Sequence, residues 1–294
     1  MSSNARPERS TEPFSRAPQG DGATAKRGTA IFVGPHPDDI ELFAGGTAAR
    51  LARLGHRIIL CDLTRGELAT HGTPAGRTIE AEAARIALGA EERVNLGLPD
   101  GHLDARDKAA LRALASCIRE YKPDTLFAPS ERGRHPDHEA AAALCRRAVF
   151  FAALKNGDAD GEPHHVSLLT HYMMRIGLTP SFVVPLDATD IASKMQAIQA
   201  HGSQVGPNND SDGSGAAPAA TSHATEVPAS TVTLVGEPHF LDVITARDKT
   251  FGAMVGADFG EGFMTERMLA IPDPVAYAQE HSPKRVHWFP GRTL

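Results

Sequence analysis

Two short clusters hold the groups in this chain best suited to chemistry. Gly34-Pro35-His36-Pro37-Asp38-Asp39-Ile40-Glu41 packs one imidazole and three carboxylates into a few residues. Arg134-His135-Pro136-Asp137-His138-Glu139 adds two more imidazoles far along the chain. Imidazole nitrogen and carboxylate oxygen are the donors that bind a divalent metal such as zinc, and a catalytic site uses three of them and leaves a position open. A histidine and an aspartate three residues apart, as in His36 and Asp39, can chelate one ion from a single turn of chain. Asp38 then points elsewhere and is free to take a proton from water activated by the metal. Pro136 suits the first position of a helix, where its missing N–H costs nothing, so His135 and His138 flank a helix start and can share a face. The two clusters together supply ligands, a base and a spare imidazole. Residue types and spacing alone do not separate ligand from base among Asp38, Asp39 and Glu41.

The elements around the clusters must bring them together. Ala30 to Val33 reads as a strand, Gly45 to Leu54 as a helix, Arg57 to Leu63 as a strand and Thr78 to Leu88 as a helix. Val94 to Leu96 reads as a short strand, Lys108 to Glu120 as a helix, Thr125 to Ala128 as a strand and His138 to Phe151 as a helix. This alternation predicts an α/β fold, a Rossmann-like, mostly parallel sheet with helices on both faces. Both clusters then stand at the carboxyl ends of strands, where open α/β sheets bind ligands. The second half is less regular: Ser167 to Met174 and Ser181 to Pro185 read as strands, Ile191 to His201 and Phe240 to Met254 as helices.

Composition frames the site. The 294 residues, 41% of them hydrophobic, suffice for one sizeable α/β domain, and a formal charge of −6 gives no basic footprint for nucleic acid. Residues 1–27 are rich in Ser, Pro, Arg and Gly with no apolar run, and are expected to be a disordered extension, neither secretory signal nor membrane span. Residues 28–294 are expected to form a single domain, with 203–232, poor in apolar residues, as a long flexible loop. Cys61, Cys117 and Cys145 lack metal or redox spacing and read as reduced, buried thiols of a cytoplasmic protein.

His36-Pro-Asp-Asp-Ile-Glu41 with the following Gly45-Gly46, joined to His135-Pro-Asp-His138, resembles the LmbE-like or PIG-L family of zinc-dependent N-acetylglucosaminyl deacetylases. Cys61 to Glu67, Arg77 with Glu80, Leu98-Pro99-Asp100-Gly101, Phe127 to Ser130, His201-Gly-Ser-Gln204 and Gly260-Glu261-Gly262-Phe263 extend the likeness across residues 28 to 270. Within the family the nearest branch is similar to the bacillithiol-pathway enzyme that deacetylates N-acetylglucosaminyl malate. The resemblance implies that His36, Asp39 and His138 hold Zn2+, or Fe2+ in the cell, that Asp38 is the general base, and that His135 is an imidazolium that stabilises the oxyanion and protonates the leaving amine. It implies that Arg134 faces the malate carboxylate, a task suited to a guanidinium. It also implies a cytoplasmic homo-oligomer, in that branch a hexamer, acting on a small N-acetylglucosamine conjugate.

Plainer readings exist for each feature. A single His-Pro-Asp can be a turn with a capping carboxylate. Arg77 and Glu80, near a helix start, suit a surface ion pair as well as a substrate role, and only Arg77 is kept as a substrate-binding candidate. Arg65 and Glu67 are explained as well by loop solvation, and Glu261 faces either the site or a subunit contact. Two other functions compete: a non-catalytic metal brace, and a two-metal phosphoesterase that would draw its second ligand set from Asp38, Glu41 and Asp137. Within deacetylation, an inositol or chitin-type glycoside competes with the malate conjugate.

Overall fold

A computed structural model of the chain describes residues 27–131, 135–174, 177, 179–205, 236–237 and 239–280. The described residues form two compact units, the larger made of those within 27–270 and the smaller of residues 271–280. The larger unit is built on seven strands: β1 (Thr29–Gly34), β2 (Arg57–Thr64), β3 (Glu92–Leu98), β4 (Thr125–Pro129), β5 (Leu168–Tyr172), β6 (Phe182–Leu186) and β7 (Phe259–Met264). Its helices are α1 (Asp39–Arg53), α2 (Pro74–Leu88), α3 (Lys108–Tyr121), α4 (Pro136–Ala153), α5 (Ala188–Ala200) and α6 (Phe240–Met254). The smaller unit contributes one short exposed helix, α7 (Pro274–Glu280), whose first turn is capped by the Asp273 carboxylate.

The sheet runs β3-β2-β1-β4-β5-β7-β6. The chain winds outward from β1 through β2 to β3, then returns to β4 on the other side of β1. That reversal is a topological switch point, with a crevice at the carboxyl ends of β1 and β4. β1 to β5 pair in parallel, while β7 pairs antiparallel with both β5 and β6.

Strand alternation divides the core between the two faces. Ile31 and Val33 of β1 join Ile59, Cys61 and Leu63 against α3 and α4, while Ala30 and Phe32 join Ile58 and Leu60 against α1, α2 and α5. All three cysteines are buried and free. An aromatic column crosses the sheet on the second face. Phe32 stacks on Phe127 at 4.2 Å between ring centroids, Phe127 meets Phe263 edge-on at 5.3 Å, and Phe263 stacks on Phe182 at 5.3 Å.

Two expectations need correction. α1 begins at Asp39, six residues before the expected Gly45. The glycine pair is a poor helix start, whereas Asp39 and Glu41 suit the positive end of the helix dipole in a first turn. The Gly-Glu-Gly-Phe stretch, assigned no element above, is the central part of β7; glycine is depleted in strands, so its pattern is hidden. The expected disordered extension and the 203–232 loop lie outside the described residues, apart from Arg27 and Ser203 to Val205. Ser203 is anchored, its N–H and hydroxyl both donating to the Glu80 carboxylate at 2.7 Å. Among the described residues, no helix is long and apolar enough to cross a membrane.

Because Phe263 is fully buried and joins β7 to the aromatic column, Phe263→Ala should destabilise the protein by about 3–5 kcal/mol, read as a lowered denaturant midpoint.

Candidate metal centre

The turn after β1 and the first turn of α4 meet over the switch point. Three candidate donors converge there: one nitrogen from each of His36 and His138 and a carboxylate oxygen of Asp39 all lie within 4.8 Å of one another. Asp39 is the centre of the group. His36 Nδ1 stands 3.1 Å from its Oδ2, and His138 Nε2 stands 3.3 Å from its Oδ1. The donor atoms of a second group, His36, His135 and Asp137, likewise lie within 4.8 Å of one another. Asp137, however, is already engaged: Oδ2 accepts from the Gly101 N–H at 2.7 Å and Oδ1 from the Leu103 N–H at 3.2 Å. The first group is therefore the better cation site. Two imidazoles and one carboxylate suit zinc or ferrous iron.

Electrostatics point the same way. Among the protein groups alone, burial disfavours a charged His36, but hydrogen bonds to Asp100, Asp137 and Asp39 outweigh it and raise the ring to about 12. His138 is raised as well, burial being overcome by the charge and hydrogen bond of Asp39. For Asp39, burial is overcome by His138 and His36, which hold the carboxyl below its usual range. A negative centre that gathers protons in this way is one a divalent cation can take over. The other ring nitrogen of His36, Nε2, lies 3.0 Å from Asp100 Oδ1 and 3.4 Å from Asp137 Oδ2, the outer carboxylate partnership usual for a ligating histidine. The Asp100 loop is itself held: Leu68 N–H donates to Asp100 Oδ2 at 2.8 Å, and Asp100 N–H to Glu67 at 3.1 Å.

The three carboxylates of the first cluster have separate surroundings. Glu41 is paired with Arg93, which also grips Asp62 through two bonds of 2.7 and 2.8 Å, and has His201 Nε2 at 3.5 Å. Burial would push Glu41 up, but Arg93 and His201 hold it at about 2. With Glu41 bound to Arg93 and Asp137 to two amides, two of the three residues a two-metal phosphoesterase would need as its second ligand set are already engaged. Asp38 is buried and sits at φ 136°, a conformation that strains any residue with a Cβ. Burial pushes its carboxyl up to about 6, against the pull of Arg77.

Arg77 explains how the Asp38 turn is kept. Its guanidinium is buried, donates to Pro37 O at 2.5 Å and Gly66 O at 3.1 Å, and lies 3.5 Å from Asp38. The plainer reading of Arg77, a surface ion pair with Glu80, does not match the structure: Arg77 is buried and Glu80 instead holds Ser203. Gly66 has φ +65°, and a Cβ there would come within 1.7 Å of the Arg77 guanidinium. His135 is the N-cap of α4, and its Nδ1 accepts from the Asp137 N–H at 3.2 Å. An accepting Nδ1 leaves the ring proton on Nε2. Burial and the charges of His36 and His138 hold His135 below its usual pKa. Arg134 lies outside the described residues.

Sequence reasoning missed the brace behind α1. Glu261 of β7 accepts from the N–H groups of Gly46 and Thr47, in the middle of the helix, at 3.1 and 2.7 Å. Arg247 donates to Leu42 O, one turn earlier, at 2.8 Å. Lys194, fully buried, pairs with Glu261 at 2.7 Å and with Asp248 at 2.5 Å. Glu261 thus faces neither site nor subunit contact; it caps the second half of α1. A Cβ on Gly46 would lie 2.4 Å from Leu186 and 3.3 Å from Glu261, which is why glycine stands at 46 inside α1 despite its low helix propensity. The only hint in the sequence was the Gly-Glu-Gly-Phe motif itself.

Comparisons with known proteins bear on this geometry. A family model described as PIG-L, GlcNAc-PI de-N-acetylase, matches residues 31–149, which include both clusters. A diacetylchitobiose deacetylase from Thermococcus kodakarensis is 30% identical over 192 residues, covering 59% of this chain and 69% of that protein. A 1D-myo-inositol 2-acetamido-2-deoxy-alpha-D-glucopyranoside deacetylase from Thermobispora bispora is 30% identical over 48% of this chain and 57% of its own length. The crystal structure of the conserved protein TT1542 from Thermus thermophilus is 34% identical with a TM-score of 0.69, spanning 83% of this chain and 97% of that one.

His36→Ala, Asp39→Asn and His138→Ala should each abolish tight binding of one metal equivalent, while Asp137→Asn should retain it, as read by metal analysis after dialysis. Binding must expel protons from His36 and His138, so affinity for zinc should fall as pH is lowered in a chelator competition.

Proposed function

The chain belongs to the PIG-L, or GlcNAc-PI de-N-acetylase, family, and on that premise we propose that it is a metal-dependent hydrolase that removes the acetyl group from an N-acetylglucosaminyl conjugate. The observation that carries this reading is the pairing of a three-donor group, His36, Asp39 and His138, with a buried neighbouring carboxylate, Asp38, that is not one of the donors. Zinc or ferrous iron held by those three residues would supply Lewis acidity, polarising the amide carbonyl and making water a stronger acid.

The remaining work falls to the chain's own residues. Asp38, raised to about 6, is ionised at neutral pH yet basic enough to take a proton from the attacking water. Arg77 holds that carboxylate in its strained turn without neutralising it through a close bond. His135 presents Nε2–H as a donor toward the charge that develops on the carbonyl oxygen. The proton collected by Asp38 then goes to the departing glucosaminyl nitrogen, and the products are acetate and a free amine.

The aglycone is the finer part of the proposal. We infer the malate glycoside of bacillithiol synthesis, supported by the likeness of Cys61 to Glu67 and Gly260 to Phe263 to that branch and by Arg134, placed directly before His135 in the sequence to grip a carboxylate. The relatives named above are described by inositol and chitobiose substrates, so those glycosides are the rivals to test.

Primary-amine release should be measured with N-acetylglucosaminyl malate, the N-acetylglucosaminyl inositol and diacetylchitobiose. Preference for malate, lost in Arg134→Ala chiefly through KM, is the expected result; preference for another glycoside would keep the chemistry and remove the pathway. Asp38→Asn should lower kcat by about 10²–10⁴-fold with metal retained. Since the base must be deprotonated, kcat/KM for the intact protein should decline as pH falls through about 6.

A further inference from the structure

The two histidine donors are backed in unlike ways. His36 turns its second nitrogen to the carboxylates of Asp100 and Asp137. His138 turns its second nitrogen, Nδ1, to the Met174 sulfur at 3.0 Å. Ligating histidines almost always direct that N–H to a carboxylate, a backbone carbonyl or water, which raises the basicity of the ligand. A thioether is a weak acceptor. Met174 follows β5, is half-buried and packs against the same core as Phe32, Phe127 and Tyr172.

We propose that Met174 is a positioning and tuning residue for His138: its sulfur fixes the ring with Nε2 toward Asp39, and as a weak acceptor it keeps that imidazole a poorer electron donor than His36. The site then holds its metal less tightly but leaves it more electrophilic toward an amide carbonyl. This rests on the reading of His138 as a metal ligand. The competing view is that Met174 only fills space, as methionine often does in cores. The two views differ in what isosteric and acceptor-bearing replacements do. Met174→Leu keeps the volume and removes the acceptor. Met174→Gln keeps the length and offers a carbonyl oxygen, a stronger acceptor.

The test uses the full-length protein and zinc alone, with affinity read by competition against a chromophoric chelator. Relative to the unaltered protein, Met174→Leu should weaken zinc binding by about tenfold, and Met174→Gln should tighten it while lowering kcat at unchanged KM. Thermal midpoints of the two metal-free variants report on packing. Affinities that stay within twofold in both variants, or that move in the same direction together with the midpoint, would overturn the proposal. His138→Ala separates the two readings. If it leaves zinc affinity unchanged, the ligand assignment itself fails; if it abolishes binding while neither Met174 variant moves it, only the tuning role fails.

Discussion

Three carboxylates within four residues, all buried, is the constraint on which this structure turns. Like charges at that spacing cannot all remain ionised in a low-dielectric interior unless each has its own compensation. The fold gives each a different one. Asp39 lies between two imidazoles, Glu41 is paired with Arg93, and Asp38 has Arg77 at 3.5 Å without a close bond. The separation is what makes their roles distinct. Asp39 and Glu41 are kept below the usual carboxylate range, while Asp38 is raised. A candidate metal donor, a structural anion and the proposed base are therefore supplied by one turn of chain.

Much of this was legible in the sequence. The alternation of β1 to β4 with α1 to α4 appears in apolar runs and helical spacing, and Pro136 at the first position of α4 follows from its missing N–H. The meeting of the two clusters follows from placing both at strand ends, at the switch point between β1 and β4, and the family resemblance implied His36, Asp39 and His138 as the group that meets there. What spacing could not separate was Asp38 from Asp39 and Glu41, because the distinction lies in partners far along the chain: Arg77, His138 and Arg93.

The rest was hidden for identifiable reasons. β7 escaped because its glycines break the usual strand signal, and the grip of Arg77 on the carbonyls of Pro37 and Gly66 was hidden because both partners lie outside its own helix. The roles of Lys194, Arg247 and Glu261 depend on tertiary pairing alone. Met174 gives no sequence signal, since a methionine after a strand is ordinarily packing.

The cap on α1 carries a consequence for how this protein can be divided. Every motif of the candidate centre is written by residue 138, yet the carboxylate that holds the middle of α1 arrives only with β7, at residue 261. Lys194 and Arg247, which fix that carboxylate and the preceding turn, come from two further helices. The amino-terminal half is thus not a self-sufficient module that could be transplanted or recombined with a foreign carboxyl-terminal half. Gly46, Lys194, Arg247 and Glu261 form one unit of inheritance, and an exchange of segments between them would separate a helix from its own cap.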